Sequence, residues 1–312
     1  MVNQKQMNYL GVIVPVATPC TRAGDLDEAG LRALCDAMVA AGSGGIFVMG
    51  STGRGPWFSR SVRARAVAVA REALPGEIPV FAGCMANGIQ EMLEHIRAAE
   101  AAGAAFAVVT APSYFSYLDS EVESILVTVA DRSPLPILLY DVPVYTGMQL
   151  AVASLVRLLS HENVVGMKDS TADGERLHLL LAAIRDIRGI WFFQGKEHLL
   201  AESILSGASG IITTFSHFGP DAYVRLCEAA RQGDRERAER IQRHVSSLYD
   251  LVTECLARRP AISTLYHMVN LALNGRGLCQ NILLEHEGEC PEWLNARTDE
   301  ALAISAAAQE ER

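Results

Sequence analysis

Short apolar runs alternate with amphipathic segments over most of the chain. The runs contain few polar positions, which is typical of strands buried on both faces of a parallel sheet. Eight such runs lie at 11–19, 45–50, 79–84, 104–112, 135–143, 164–170, 190–195 and 209–215. Apolar residues between them recur at helical spacing, and this predicts helices at 28–41, 59–73, 87–102, 118–132, 150–160, 172–187, 197–206 and 219–232.

Eight strand–helix units within about 230 residues predict an α/β fold, a (β/α)8 TIM barrel, for residues 1–232. An open doubly wound sheet is the alternative, but it usually has fewer strands and a phosphate-binding motif after the first one. Strand signals stop after residue 233. Helices are expected at 234–260, 261–275 and 299–312, with a loop at 276–297, so residues 233–312 are predicted to form a C-terminal helical appendage.

Composition and charge exclude several classes of protein. The chain has 312 residues and a net charge of −9, without the basic footprint of a nucleic-acid binder. No apolar run reaches the roughly 18 residues of a membrane span, and residues 1–10 lack the apolar core of a secretion signal. The seven cysteines have no C-x-x-C spacing, which is typical of reduced thiols. We therefore expect a cytoplasmic protein that binds neither membrane nor nucleic acid.

A single lysine lies at the end of the sixth predicted strand, in the run VVGMKDS. Burial disfavours an ammonium group, so we expect the pKa of Lys168 to lie well below its usual value of roughly 10.4. A neutral amine can attack a ketone and form an imine, which then stabilises a carbanion on the adjacent carbon. The alternative is a structural lysine that pairs with Asp169 or Asp141.

Two further features lie at neighbouring strand ends. Tyr140 ends the fifth strand and could relay protons beside Lys168, although a core tyrosine is the simpler interpretation. Gly50 to Gly53 form a G-S-T-G turn, whose N–H groups and hydroxyls suit a carboxylate. An ordinary turn is the alternative there.

The carboxyl ends of barrel strands carry the catalytic groups in this fold class. Besides the residues above, the candidates at these strand ends are Thr18, Arg54, Cys84, Asn87, Ser113, Tyr114, Tyr145, Gln194, Lys196, Ser216 and His217. His217 is a candidate acid or base in the pocket. Glu285, His286, Glu287 and Cys290 match no standard metal-ligand spacing, so neither a metal nor another cofactor is predicted.

Several of these motifs together resemble the dihydrodipicolinate synthase and N-acetylneuraminate lyase family of class I aldolases. The matching segments are GVIVPVATP, GSTG at 50–53, AGCMANG at 82–88, LLYDVPVYTG at 138–147, VVGMKDST at 164–171 and the stretch 194–214. They cover roughly residues 8–232 in the family's order and spacing. The family combines a (β/α)8 barrel with a C-terminal helical domain.

The resemblance implies a role for each matching residue. Lys168 matches the Schiff-base lysine and Tyr140 the proton-relay tyrosine. Ser51 matches the hydroxyl that links this tyrosine to a second one from a neighbouring subunit, a place held here by Tyr114. The substrate-binding positions it implies are Thr52, Gly53, Gly195, Ile212 and Tyr145. Because Tyr114 acts only across subunits, the resemblance predicts a homo-oligomer, a tetramer or a dimer.

The departures from the family concern the second substrate. Tyr145 stands where the synthases carry an arginine that engages a second carboxylate, and a phenol does not replace a guanidinium fork. Arg54 replaces a common glutamate and is expected to place a cation near the mouth. Ser113 replaces the first of two adjacent tyrosines, and Asp141 replaces the usual asparagine.

These observations lead us to expect a lyase that binds pyruvate or a related 2-keto acid through Lys168. It would make or break the carbon–carbon bond of a 4-hydroxy-2-keto acid, with an aldehyde as the second partner. A sugar-acid dehydratase using the same imine chemistry, a true dihydrodipicolinate synthase and a non-catalytic keto-acid-binding barrel remain alternatives. A metal-dependent barrel enzyme is disfavoured, because no carboxylate or histidine cluster lies at the strand ends.

Overall fold

The computed structural model describes residues 11–310, so the expectation about a secretion signal at residues 1–10 lies outside the described part. Eight parallel strands close into a barrel in chain order, and β8 pairs with β1. The strands are β1 (Gly11–Pro15), β2 (Gly45–Val48), β3 (Val80–Gly83), β4 (Phe106–Val109), β5 (Ile137–Asp141), β6 (Val164–Asp169), β7 (Trp191–Gln194) and β8 (Gly210–Ile211). The predicted (β/α)8 barrel is confirmed, with each strand shorter than its apolar run.

Helices surround the barrel on its outer face. They are α1 (Glu28–Ala40), α2 (Arg60–Ala73), α3 (Ile89–Ala101), α4 (Asp119–Arg132), α5 (Pro143–Thr146), α6 (Val152–Leu159), α7 (Gly174–Ile184), α8 (Leu200–Leu205) and α9 (Pro220–Arg231). Side-chain caps begin several of them: Asp27 accepts from the Gly30 amide and Asp173 from the Arg176 amide. The single turn α5 was not predicted and follows directly after β5, so it shapes the barrel mouth.

Two groups of apolar side chains hold the barrel together. Alternate strand residues such as Ile13, Phe47, Leu138 and Phe193 fill the interior, and the intervening residues pack against the helices. This alternation is the pleat of the strand. It also explains why polar side chains that continue the inward rows at the carboxyl end emerge into the barrel mouth.

Three helices follow the barrel: α10 (Arg235–Arg258), α11 (Ile262–Gly275) and α12 (Glu292–Glu310). The prediction of a loop over the whole of 276–297 is wrong, because α12 begins at Glu292 and a helical turn spans Glu285–Glu287. Helix α11 lies against the turn after β8, which brings it to the barrel mouth. The domain boundary at 232 coincides with the turn between α9 and α10 and stays a prediction. No helix between residues 11 and 310 is long and apolar enough to cross a membrane.

Candidate active site at the carboxyl end of the barrel

Lys168 lies near the end of β6 and is only 5% exposed. Its Cα is the register partner of the Tyr140 Cα on β5, so both side chains continue inward-facing rows. The Lys168 Nζ lies 4.2 Å from the centre of the Tyr140 ring and 6.0 Å from that of Phe47. The two residues that sequence reasoning singled out are therefore direct neighbours in the fold.

The carboxylates nearest in sequence to this lysine are engaged elsewhere. Asp141 forms a buried ion pair with Arg176 at 2.6 Å, and burial raises the pKa of Asp141 to about 6. Asp169 accepts hydrogen bonds from the amide and hydroxyl of Thr171, each at 3.1 Å. Among residues 11–310 no ion pair involves Lys168. The alternative of a lysine paired with Asp141 or Asp169 is not observed.

Gly195 follows β7 and lies against this lysine. A Cβ atom built on Gly195 would come within 2.8 Å of the Lys168 Cε and would also overlap the Ser170 Oγ. The absence of a side chain at Gly195 therefore leaves room for the Lys168 side chain.

The G-S-T-G turn faces the same space. Ser51 and Thr52 line a cavity of about 340 Å³ together with Tyr140, Lys168, Gly195 and Ile212, and we call this the lysine cavity. The Thr52 and Thr214 hydroxyls share a hydrogen bond of 2.6 Å. In the described part of the chain, the amides of Ser51 and Thr52 donate to no protein acceptor. Two unused N–H groups beside a buried lysine are suited to a carboxylate.

Gly53 lies outside the lining of the lysine cavity. Its carbonyl accepts a hydrogen bond of 2.6 Å from Thr18, and a Cβ atom there would come within 3.0 Å of the backbone of Met49 and Val16. Gly53 therefore packs the turn against β1, and its predicted contact with substrate stays a prediction.

Arg54 lies at the barrel mouth, as expected from the sequence, but its cation is already paired. Its Nη1 donates to Glu287 Oε2 at 2.6 Å, and the two side chains are only 5% and 2% exposed. Its Nη2 donates to the Ile282 carbonyl, and its guanidinium lies 4.0 Å from the centre of the Tyr266 ring. The charge of Arg54 is therefore neutralised by a residue from the C-terminal segment.

Tyr266 of α11 is a site residue that the sequence did not indicate. Its hydroxyl donates to the Ser51 carbonyl at 2.8 Å, and its ring lines the lysine cavity. In the sequence it is one aromatic residue within a helical pattern, and no local signal distinguishes it. The C-terminal helices thus hold the turn that carries Ser51 and Thr52.

A second cavity of about 330 Å³ adjoins the lysine cavity at the barrel mouth. It shares Ser51, Val142, Tyr145, Ile262 and Tyr266 with the lysine cavity. Its remaining lining residues are Arg54, Pro56, Trp57, Met85, Thr110, Ser113, Thr146, His286 and Glu287. We call this space the outer cavity. Tyr145 is 50% exposed and faces both cavities.

Tyr114 lies apart from these residues within a single chain. It is 78% exposed, and its ring contacts that of Phe115 edge-on. Asn87 holds the loop by accepting from the amides of Ser113 and Tyr114 at 2.8 and 3.2 Å. The proposed link between Tyr114 and Ser51 requires a second subunit and stays a prediction.

His217 is structural, so the expectation of an acid or base there is wrong. It is fully buried and does not line either cavity. Its Nε2 accepts from the Ala17 amide at 3.1 Å, and its Nδ1 donates to the Thr214 carbonyl at 2.7 Å. Burial lowers the pKa of His217 to about 4, which keeps the ring neutral and joins β1 to the turn after β8.

Comparisons with known proteins identify the family of this chain. The model of the dihydrodipicolinate synthetase family matches residues 8–285. A 4-hydroxy-tetrahydrodipicolinate synthase of Xanthomonas axonopodis pv. citri (strain 306) is 34% identical over 232 residues, covering 74% of this chain and 76% of that protein.

Solved structures share the fold. Dihydrodipicolinate synthase from Acinetobacter baumannii, complexed with pyruvate, has a TM-score of 0.86 at 24% identity over 96% of this chain and 99% of its own. CdNal from Clostridium difficile, in complex with mannosamine, has a TM-score of 0.84 at 18% identity over 94% and 98% of the two chains. The family model and the curated relative show that the chain belongs to the dihydrodipicolinate synthetase family, whose members are class I aldolase-type enzymes that act on a keto acid through a Schiff base.

Proposed function

We propose that this enzyme is a carbon–carbon lyase that cleaves a 4-hydroxy-2-keto acid to pyruvate, or a related 2-keto acid, and an aldehyde. The observation that carries the proposal is the buried amine of Lys168, which lies beside Tyr140 and has no carboxylate within ion-pair distance in residues 11–310. An amine in such surroundings is suited to attack a ketone rather than to hold the fold together.

The 2-keto acid is held at two points. Its carbonyl carbon forms the imine with Lys168, and its carboxylate accepts hydrogen bonds from the amides of Ser51 and Thr52. Support comes from the unused donor capacity of these amides and from their position in the lining of the lysine cavity. Ile212 and Gly195 line the same space and limit its width next to the lysine.

Cleavage then follows from the chemistry of the imine. Tyr140 acts as the base that takes the proton from the 4-hydroxyl group, and the bond between C3 and C4 breaks as the aldehyde carbonyl forms. The bonding electrons move into the protonated imine, which loses its positive charge and becomes a neutral enamine. Tyr140 returns the proton to C3, and water hydrolyses the imine to release the keto acid and the free lysine.

The outer cavity argues against the second substrate of the synthases. A second carboxylate needs a charge-assisted partner, but Tyr145 is uncharged and Arg54 is already paired with Glu287. We therefore prefer the lyase over a true dihydrodipicolinate synthase.

We further propose that the enzyme is a cytoplasmic homo-oligomer. All seven cysteines are unbonded and six are buried, as expected in a reducing compartment. Tyr114, Phe115 and Leu118 form an exposed apolar group, each more than 60% exposed, and a partner subunit that covers them would bring its own Tyr114 toward Ser51. Light scattering coupled to gel filtration measures the mass, and a monomer would contradict this part of the proposal.

Borohydride trapping tests the imine. Incubation with pyruvate and borohydride is expected to add one reduced pyruvate adduct, and peptide mass spectrometry is expected to locate it on Lys168. Lys196 is the internal control, because it also lines the lysine cavity but is expected to stay unmodified. No adduct, or an adduct on Lys196 alone, would overturn the proposal. With a 4-hydroxy-2-keto acid as substrate, an aldehyde among the products identifies a lyase, whereas loss of water alone would identify the dehydratase.

A further inference from the structure

We propose that the outer cavity is the subsite of the aldehyde, and that it is built for an uncharged, planar and largely apolar aldehyde, of which an aromatic aldehyde is the simplest case. This inference rests on the proposed lyase function and adds the class of its second substrate.

The entrance of the outer cavity carries two stacked rings. The Trp57 and His286 rings lie 4.5 Å apart at an interplanar angle of 9°. Trp57 follows β2 and His286 lies in the C-terminal helical turn, so the stack joins two distant segments of the chain. Although Trp57 is 65% exposed, it is held by this contact. Flat aromatic walls favour a planar guest, because rings stack with an offset or contact edge to face.

The remaining lining offers apolar surface and few charges. Met85, Val142 and Ile262 contribute aliphatic groups, and the ring of Tyr145 lies at the boundary with the lysine cavity. A cavity of about 330 Å³ falls within the range of small-ligand sites, about 300–1,000 Å³, which are mostly apolar.

The charges in the outer cavity cancel each other. Arg54 and Glu287 are paired at 2.6 Å and buried, so neither is available to a substrate ion. A carboxylated aldehyde would lose its hydration there without gaining an unpaired cation, which is costly. An uncharged aldehyde has no such cost and gains from the apolar walls.

The two cavities adjoin each other, because Ser51 and Tyr145 are among the residues that line both. An aldehyde in the outer cavity can therefore meet the enamine formed on Lys168. In the carboligation direction the enamine carbon attacks the aldehyde carbon, the new carbon–carbon bond forms, and the carbonyl π electrons move to oxygen. That oxygen takes the proton of Tyr140, which is the reverse of the cleavage step.

A different subsite would follow if the aldehyde carried a charge. Lys196 lines the lysine cavity on its other side, with its Nζ 4.8 Å from the centre of the Tyr249 ring. An aldehyde with a carboxylate would be directed there, and this is the competing outcome of the test.

The test uses the full-length enzyme with pyruvate and three aldehydes: benzaldehyde, acetaldehyde and glyoxylate. Carboligation is measured as kcat/KM for each aldehyde by product mass, together with the borohydride adduct on Lys168 formed by pyruvate alone. We expect kcat/KM for benzaldehyde to exceed that for glyoxylate at least about tenfold. One aromatic contact contributes a factor of up to about ten, and burial against the apolar walls contributes further.

Variants connect this preference to the outer cavity. Trp57→Ala is expected to lower the ratio of kcat/KM for benzaldehyde to that for acetaldehyde about tenfold. Leu179→Ala is the matched control, because Leu179 is also an exposed apolar residue but lines neither cavity. Tyr145→Arg is expected to shift the preference toward glyoxylate by supplying a free cation.

Failure of the subsite and failure of the function give different results. A Lys168 adduct with pyruvate, combined with a preference for glyoxylate that Lys196→Met abolishes, would overturn the aromatic subsite and leave the lyase intact. An unchanged benzaldehyde to acetaldehyde ratio in Trp57→Ala would do the same. Absence of the Lys168 adduct would overturn the lyase and the subsite with it.

Discussion

The buried pair of Arg54 and Glu287 provides a quantitative test of how the C-terminal segment is held on the barrel. Glu287→Gln keeps the shape and a hydrogen-bond acceptor but removes the negative charge. Arg54 then remains a buried cation without a countercharge, and losing one partner of such a pair costs about 3–5 kcal/mol. Because the Ile282 carbonyl and the Tyr266 ring still contact the guanidinium, we expect about 3 kcal/mol, the lower end.

This free energy converts to a measurable change in melting temperature. For 312 residues the unfolding entropy is about 0.65 kcal/mol/K, so a loss of about 3 kcal/mol lowers Tm by about 5 °C. Differential scanning calorimetry at pH 7.5 measures this change. The drop is expected to persist in 1 M NaCl, because salt screens exposed pairs far more than buried ones.

Two controls isolate the role of burial. Glu28→Gln breaks the ion pair with Arg65, which has equally short contacts but lies on the surface, and it is expected to change Tm far less. The double variant Arg54→Met with Glu287→Leu removes both charges and is expected to be more stable than Glu287→Gln alone. Equal drops in Tm for Glu28→Gln and Glu287→Gln would refute the reasoning. A double variant whose drop in Tm equals the sum of the drops of its two single variants would also refute it.

Three further predictions concern the lysine cavity and its support. Tyr140→Phe should still form the pyruvate adduct on Lys168 but lower kcat by about 10²–10⁴; unchanged turnover would remove the relay role. Gly195→Ala should slow adduct formation at least about tenfold, because its Cβ would overlap the Lys168 side chain, whereas Gly76→Ala, which has no atom within 4 Å of the new Cβ, should not. His217 binds a proton below about pH 6.5 when unfolded but only below about pH 4 when folded, so the free energy of unfolding should fall as the pH drops through this window. Calorimetry of His217→Gln should show a shallower fall. An identical dependence on pH in the variant and the wild type would contradict the assignment.

The barrel was predictable because its strands are buried on both faces. A strand such as β6 must be apolar on both sides, so the chain carries a continuous run that polar helix faces interrupt. The strand ends were less predictable. The first apolar run continues through Ala17, which is as buried as β1 itself although its amide donates to the His217 side chain and not to a neighbouring strand. Burial extends past the hydrogen-bonded ladder. The apolar composition of a run therefore indicates which residues are buried, and it does not show where the strand ends.

The positions of the candidate catalytic residues were predictable to the same extent as the strands. Once β5 and β6 are assigned, the rule that barrel chemistry lies at the carboxyl ends selects Tyr140 and Lys168 together, and their register pairing follows from parallel neighbours. Gly53 shows the limit of this reasoning. The motif identifies the turn, but only coordinates tell which of its backbone groups face the cavity and which pack against β1.

The electrostatics of the barrel mouth could not be obtained from the sequence, because they depend on pairing between distant segments. Arg54 was correctly expected to place a cation near the barrel mouth, but its ion pair with Glu287 could not be foreseen. Its partner Glu287 lies in a segment for which a loop was expected, and Tyr266 lies within an unremarkable helical pattern. A charge that a motif supplies therefore says little about specificity until its partner is known. Here Glu287 of the C-terminal segment neutralises Arg54, which follows the G-S-T-G turn. The aldehyde subsite that we propose would therefore select its substrate by shape and apolar surface rather than by charge.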